Sequence, residues 1–137
     1  MQTGLQFEIP VTPRGQMRAR HTARKLKSGK VFSHTYKDEK QEFSEEVLFH
    51  YLERYVPLEP FEGPVTLLVK AYMPKPKKPK SSRPTTKPDL DNLIKQIKDC
   101  MTIMHFWHDD NQVVEYMPGT GKYYSDRPRW EVAIAKA

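Results

Sequence analysis

The sequence predicts an α+β fold: a single domain in which two helices pack on about four strands of a mixed sheet, in the order β-α-β-α-β-β. Its 137 residues correspond to the usual length of a single domain. Only 37% of them are hydrophobic, so one modest core is expected. Segments with the period of strands are interrupted twice by segments with the period of helices, an order typical of helices layered on a sheet. We therefore expect residues 1–137 to form one domain.

Four segments have the pattern of full strands. Residues 5–9 alternate apolar and polar side chains and then meet Pro10, as a strand with one buried face would. Residues 65–72 are a nearly continuous apolar run with β-branched members, which predicts a central strand. The last two strands are expected at 113–117 and 130–134, joined through a hairpin turn at 118–122. A shorter extended piece is predicted to start at Val31.

The two helices follow from apolar residues that recur every three or four positions. From about residue 37 to 55, such a stripe consists of Phe43, Val47, Leu48, Tyr51, Leu52 and Tyr55, and Pro57 ends the helix. Phe49 widens this stripe, so the helix is expected to face a partner as well. From about residue 91 to 104, the second stripe consists of Leu90, Leu93, Ile94, Ile97, Met101 and Met104.

The charge of the chain points to a polyanionic partner. There are 23 Lys and Arg residues against 17 Asp and Glu, a net charge of +6, and the sequence pI is about 9.4. This excess favours nucleic acid, ahead of an anionic membrane surface. No run approaches the roughly 18 apolar residues that a membrane-spanning helix needs, so we expect no membrane partner.

The basic residues are concentrated in two acid-free windows, residues 9–37 and 63–88. The first window holds Arg14, Arg18, Arg20, Arg24, Lys25, Lys27, Lys30 and Lys37. The second holds Lys70, Lys75, Lys77, Lys78, Lys80, Arg83 and Lys87. Blocks of this kind are typical of phosphate-binding surfaces, and a merely solvated surface is the alternative. We expect basic loops at about 14–30 and 74–88, with DNA contacts from Arg14, Arg18, Arg20, Lys75, Lys77, Lys78, Lys80, Arg83 and Lys87.

A cytoplasmic location is expected. The single cysteine, Cys100, cannot form an intrachain disulfide or a cysteine-based zinc site, so nothing indicates an oxidising compartment. Residues 1–10 lack the basic start and apolar stretch of a signal peptide.

Two acidic clusters bracket the second helix. Asp89 and Asp91 stand at its start, and Asp109 and Asp110 follow it before the next strand. If Asp89 lies in extended chain after Pro88 and Asp91 caps the helix, both carboxylates can converge on one cation, and Lys95 returns to the same face one turn later. Carboxylates on separate segments suit Mg²⁺, which serves phosphodiester hydrolysis. Ordinary helix caps and turn residues explain the same spacing, and on spacing alone this structural explanation is the stronger one.

Two boxes resemble the RusA family of Holliday junction resolvases. The first is Asp89-Leu90-Asp91-Asn92-Leu93-Ile94-Lys95, and the second is Phe106-Trp107-His108-Asp109-Asp110-Asn111-Gln112-Val113-Val114. They are similar to the family's Asp-Leu-Asp-Asn-Leu-x-Lys and Trp-x-Asp-Asp-x-Gln-Val patterns. Residues 9–20 are similar to a basic loop of the phage and prophage branch, although Met17 stands where that branch often has proline. The resemblance covers nearly the whole chain.

This resemblance implies a role for individual residues. Asp89, Asp91 and Asp110 would bind Mg²⁺, with Mn²⁺ as a substitute, and Lys95 would be the essential lysine near the scissile phosphate. Asp109 and Asn92 would be supporting residues. Members are small homodimers that cut a four-way junction at paired positions, and the two-fold symmetry of a junction calls for two sites related by a matching axis.

Two other functions remain possible from the sequence. One is an enzyme with the same site that acts on other branched or single-stranded nucleic acid. The other is a catalytically silent junction-binding or architectural protein that uses only the basic residues. Converging carboxylates repel phosphate and have no use in pure binding, so they favour catalysis.

Overall fold

The structure is a computed structural model that describes residues 4–14, 20–25, 31–36 and 39–137. In the ranges 20–25, 31–36 and 39–44 it describes the backbone alone. The elements in chain order are β1 (Gly4–Ile9), β2 (Arg20–Lys25), β3 (Val31–Tyr36), α1 (Glu39–Leu52), β4 (Val65–Pro74), α2 (Leu90–Ile103), β5 (Val113–Tyr116), β6 (Gly121–Ser125) and β7 (Arg129–Lys136).

Five strands form one mixed sheet, which confirms the predicted α+β class. The order is β1-β7-β4-β5, and β6 also pairs with β4. β7 runs antiparallel to both β1 and β4, whereas β5 and β6 run parallel to β4. The apolar run predicted as a central strand is therefore β4, which has partners on both edges.

The predicted hairpin turn at 118–122 is wrong. After β5, the chain makes a short turn in which the Thr120 amide donates to the Met117 carbonyl at 3.2 Å, and Gly119 takes a φ of +98°. The chain then continues in its original direction as β6, so β5 and β6 occupy successive stretches of the same edge of β4. Pro118 and Gly119 correctly indicated a turn, but a turn does not by itself reverse the direction of the chain.

The predicted basic loop at 14–30 is also partly replaced by a strand. β2 and β3 form a separate antiparallel pair in which Arg20 lies opposite Tyr36 and Lys25 opposite Val31. The sequence indicated only the start of β3, because β2 (Arg20–Lys25) has no apolar alternation. Residues 75–88, by contrast, contain no helix or strand.

The core lies on the side of the sheet that faces the helices. On β4, Val65, Leu67, Val69 and Ala71 are fully buried, and Trp130, Val132 and Ile134 extend this surface across β7. α2 covers it with its buried residues Leu93, Ile94, Gln96, Ile97, Cys100 and Met101. Each large side chain buried in this way contributes roughly 1.5–3 kcal/mol. The predicted stripe of α2 is thus confirmed, and its polar face remains outward.

α1 and the segment after it close one end of this core. Leu48 and Leu52 are fully buried, and Phe49, Tyr51 and Tyr55 pack against the core from partly buried positions. The chain continues as a 3-10 helix (Glu53–Tyr55) whose Tyr55 ring stacks on Phe7 of β1 at 4.8 Å. Phe49, which we expected to face a partner, contributes at least part of its surface to the core.

None of the described helices is both long enough and apolar enough to cross a membrane.

Candidate active site

The first acidic pair lies where the chain enters α2. Asp89 is at the N-cap position with extended backbone (φ −67°, ψ 149°), and its side chain makes no capping hydrogen bond. Asp91 lies in the first turn, so the prediction that Asp91 caps the helix is wrong by two residues. The extended residue that precedes the helix is Asp89, so helical backbone begins at Leu90 and Asp91 is already the second helical residue. Both carboxylates are exposed.

Asp91, Lys95 and Asp110 line one cleft of about 350 Å³ beside α2. Asp91 and Lys95 are four residues apart and therefore share a face of the helix. Asp110 reaches the cleft from the turn that follows the helix, because β5 pairs with β4 and brings that turn back against α2. The described chain offers the carboxylates of Asp91 and Asp110 no hydrogen bond or ion pair. The pairing of β4 with β5 thus brings residues from both ends of α2 to one cleft.

The turn that carries Asp110 is held by the side chain of Gln112. The Gln112 amide nitrogen donates to the carbonyls of Phe61 at 2.8 Å and Gly63 at 2.9 Å. Its amide oxygen accepts from the backbone N–H groups of His108 at 2.7 Å and Asp109 at 3.0 Å. One side chain therefore ties the turn to the segment before β4, which makes Gln112 a positioning residue for Asp110.

Asp109 has a structural task in the same turn. Its carboxylate accepts a hydrogen bond from the Asn111 N–H at 2.8 Å, and it forms a capping box with Gln112 at the start of the 3-10 helix Asp110–Gln112. Asp109 thus supports the turn, while the neighbouring Asp110 faces the cleft.

The cleft includes three polar residues that the sequence did not single out: Lys98, Asp99 and Tyr116. Lys98 donates from its ammonium to the Tyr116 hydroxyl at 3.2 Å. The i+4 spacing of Lys95 and Asp99 places Asp99 on the same helix face, and this signal was readable in the sequence. The place of Tyr116 in the cleft could not be predicted from sequence spacing, because the pairing of β5 with β4 brings it to the helix.

Asp89 and Asn92 are not among the described residues that line this cleft. Their predicted roles, like those of Asp91, Lys95 and Asp110, stay predictions. Phe106 and Trp107, the first two residues of the second box, are fully buried. The Trp107 indole N–H donates to the Thr102 hydroxyl at 2.7 Å, so both aromatic residues belong to the core.

The predicted DNA contacts fall into two groups. Arg14 is exposed, Arg18 lies outside the described residues, and Arg20 is described only as backbone of β2. The segment between β4 and α2, residues 75–88, is called here the basic arm. Its cationic side chains are all exposed: Lys75, Lys77, Lys78, Lys80, Arg83 and Lys87. The Arg83 guanidinium donates to the Lys122 carbonyl at 2.8 Å, so it also has a structural role.

Comparison with known proteins identifies relatives of this chain. The family profile described as "Endodeoxyribonuclease RusA" matches residues 10–135. The protein YqaN of Bacillus subtilis strain 168, described as uncharacterised, is 33% identical over 142 residues, which cover 95% of this chain and 94% of YqaN. A 30-residue stretch is 50% identical to the crossover junction endodeoxyribonuclease RusA of Lactococcus phage r1t, covering 22% of this chain and 23% of the phage protein.

The profile covers four of the five strands of the main sheet, all but β1, together with both helices and the cleft with Asp91, Lys95 and Asp110. The chain therefore belongs to the RusA endodeoxyribonuclease family.

Proposed function

We propose that this protein is a Mg²⁺-dependent, structure-selective endodeoxyribonuclease that resolves four-way DNA junctions by paired symmetric nicks during recombination and repair. The observation that carries the proposal is the cleft in which Asp91, Lys95 and Asp110 meet, in a chain of the RusA family. Such a cleft suits a phosphodiester, because its carboxylates can hold a metal ion and its lysine can bind the negatively charged phosphate.

The acidic residues are suitable ligands for Mg²⁺. Among the described residues, no group of three or more Asp, Glu, His or Cys side chains is arranged so that it could hold a metal ion by itself. Mg²⁺ does not need one, since it is commonly held by one or two carboxylates and keeps several waters. Asp91 and Asp110 would hold the ion with Asp89 adjoining, and Mn²⁺ accepts the same oxygen ligands. When bound, the ion supplies charge stabilisation at the phosphate and eases ionisation of water.

Lys95 has a separate task in this proposal. It lies one helical turn beyond Asp91, so its ammonium would bind a non-bridging oxygen of the phosphate that faces the carboxylates. The exposed lysines of the basic arm would hold the strand on either side. A protein that only binds junctions would lose affinity through Asp91 and Asp110, which repel phosphate.

The test is a cleavage assay on a synthetic four-way junction and a linear duplex of matched sequence. We expect paired nicks in the junction alone, with Mg²⁺ or Mn²⁺ and not with EDTA, and none with Asp89→Asn. Asp89→Asn should still bind the junction at least as tightly, because a carboxylate near phosphate has been removed. Binding without cutting under every metal tried would overturn the proposal. Equal cutting of flaps and single strands would assign a broader nuclease.

We propose further that the active form is a homodimer, because two cuts in a two-fold symmetric junction require two sites related by the same symmetry. Light scattering on the eluted protein, with and without junction, measures this directly. A monomer at concentrations that give paired nicks would contradict it.

The proposed location is the cytoplasm, where the DNA substrate is found. Cys100 is buried and forms no disulfide, which is consistent with a reducing compartment. Fractionation of cells that express the tagged protein checks this, and recovery in a secreted or membrane fraction would contradict it.

A further inference from the structure

The basic arm is anchored on β6. The Arg83 guanidinium donates to the Lys122 carbonyl at 2.8 Å, and the Lys122 ammonium donates to the Thr86 carbonyl at 2.6 Å. Gly121 leaves room for this contact, since a Cβ there would meet the Arg83 guanidinium. These reciprocal contacts fix the second half of the arm against the sheet.

A row of stacked side chains supports the anchor. The Arg83 guanidinium lies over the Tyr123 ring at 4.1 Å, Tyr123 stacks with Tyr72 at 5.3 Å, and the Arg129 guanidinium lies over Tyr72 at 3.8 Å. These contacts connect the arm with residues of three strands, β6, β4 and β7, and hold it against the sheet.

A second cleft, of about 380 Å³, is lined by residues of the arm and by the ends of β4 and β6. Tyr124 of β6, which pairs with Met73 of β4, lies on one side, and Pro76 and Pro84 supply further apolar surface. Lys75 and Lys87 also line it and carry the formal charges among the described residues of its lining. The cleft thus combines flat apolar surfaces with two cations and no acid.

This combination fits a nucleotide. An aromatic ring and proline rings stack on the face of a base, and stacking of a base on an aromatic side chain contributes roughly 1–3 kcal/mol. The two ammonium groups are placed to take phosphates. A duplex fits poorly, because its base faces are already stacked inside the helix and a cleft of about 380 Å³ is too small for a base pair with its backbones.

We propose that this cleft binds an unpaired nucleotide of the DNA strand that passes the candidate active site. Tyr124 and the prolines contact the base, and Lys75 and Lys87 contact the flanking phosphates. Lys87 lies two residues before Asp89, so a strand leaving the cleft reaches the start of α2 directly. The inference rests on the proposed nuclease function and adds to it a reason for selecting branch points, where bases are unpaired.

The test measures binding of labelled oligodeoxythymidine of about 12 nucleotides, a length within the site sizes of single-strand-binding proteins. Full-length protein is used in EDTA, so that no cutting interferes, and fluorescence anisotropy gives Kd. Tyr124→Leu should weaken binding about 5- to 150-fold, the loss that corresponds to one stacked base. It should leave binding of linear duplex unchanged. Tyr124→Phe keeps the ring and should bind like the unaltered protein.

Two matched controls separate the cleft from general charge. Lys75→Ala and Lys87→Ala should weaken oligodeoxythymidine binding more than Lys77→Ala and Lys78→Ala, which remove the same charge from the same arm outside the cleft. On an abasic strand, which has phosphates and no bases, Tyr124→Leu should bind as well as the unaltered protein.

Equal losses on oligodeoxythymidine and duplex, or no loss with Tyr124→Leu in a folded variant, would overturn the proposal. Thermal unfolding of each variant establishes that it is folded. Because the binding assay involves no cleavage, a protein that cuts junctions but shows no Tyr124 dependence would refute the cleft alone. One that never cuts junctions but shows the expected binding losses would refute the nuclease proposal alone.

Discussion

Asp109 and Asp110 are adjacent in the chain, but their carboxylates have different surroundings. Asp109 accepts a hydrogen bond from the Asn111 N–H at 2.8 Å and caps the turn, whereas Asp110 lines the cleft with Asp91. Both stand in the same box of the sequence, where nothing but the resemblance ranked one above the other. The direction of each side chain depends on the turn, which explains the difference.

We predict that Asp110→Asn and Asp109→Asn differ sharply in their effect on cutting. Asp110→Asn should lower the rate of junction cleavage by more than the roughly 10- to 100-fold that loss of an outer partner of a metal costs. Asp109→Asn should retain most activity, because Asn caps a turn as well as Asp does. Single-turnover cleavage of the four-way junction measures both. Equal losses in the two variants would mean that Asp109 also acts at the phosphate.

A second prediction concerns the hydrogen bond from Trp107 to Thr102. Trp107 is fully buried, and its indole N–H donates to the Thr102 hydroxyl at 2.7 Å. Thr102→Val keeps the shape but leaves that donor without a partner, so the free energy of unfolding should fall by about 1–3 kcal/mol. Thr102→Ser keeps the hydroxyl and should lose less. Urea unfolding of both variants decides this, and a valine variant as stable as the serine variant would contradict it.

At the scale of elements, the turn between α2 and β5 connects stability to the site. It is joined to the segment before β4 by the hydrogen bonds of Gln112 and by the pairing of Phe61 with Trp107. The prediction of α2 was accurate because its apolar face has one clear period. The connections of the turn had no signal of their own, since they join residues about fifty positions apart in the chain.

We expect Gln112→Met to lower both stability and cleavage. The variant keeps the length of the side chain and removes its hydrogen bonds, each worth about 0.5–1.5 kcal/mol. Three of the four bonds lie at the exposed surface, where water replaces them in the variant, so the free energy of unfolding should fall by about 1–3 kcal/mol. Junction binding should persist, because the basic arm is separate from the turn. Asn111→Ala, an exposed neighbour, serves as control and should change neither property.

On the scale of the whole molecule, many basic residues and the acidic residues of the candidate active site lie in different segments of the chain. The net charge of +6 includes 23 basic residues, many of them in the two acid-free windows, whereas the acids Asp89, Asp91, Asp109 and Asp110 bracket one helix. In the structure, the basic arm runs from the end of β4 to the start of α2, so the second window leads into the candidate active site. In the proposed function, a strand bound along the arm would be directed towards Asp91 and Asp110.

Binding to the junction should therefore depend steeply on salt. The plot of log K against log salt concentration should have a slope of about −0.9 for each duplex phosphate that is neutralised. Replacing Lys77, Lys78 and Lys80 with alanine should reduce its magnitude by about 0.9 for each lysine that contacts a phosphate. Each lysine is replaced singly, so that Arg54→Ala, outside both windows, is the charge-matched control, and it should leave the slope unchanged. A flat salt response would exclude the basic windows as the contact surface.

The sequence by itself determined the class of fold, the central strand β4, the apolar face of α2 and the acidic residues at both ends of that helix. These features have local causes: side-chain periodicity, helix-breaking prolines and the clustering of charge along the chain. The boxes around Asp91 and Asp110 also indicated the family, because both are continuous in the chain.

Only the tertiary structure decided that β5 and β6 continue along one edge of β4, that β2 and β3 pair, and that Gln112 holds the turn of Asp110. It also decided that the basic arm is anchored through Arg83 and encloses a cleft with Tyr124. Each of these depends on contacts between residues that are separated in the chain. Such contacts form because burying one apolar face and pairing backbone groups stabilise the whole sheet, and no local pattern in the sequence records which partner is chosen.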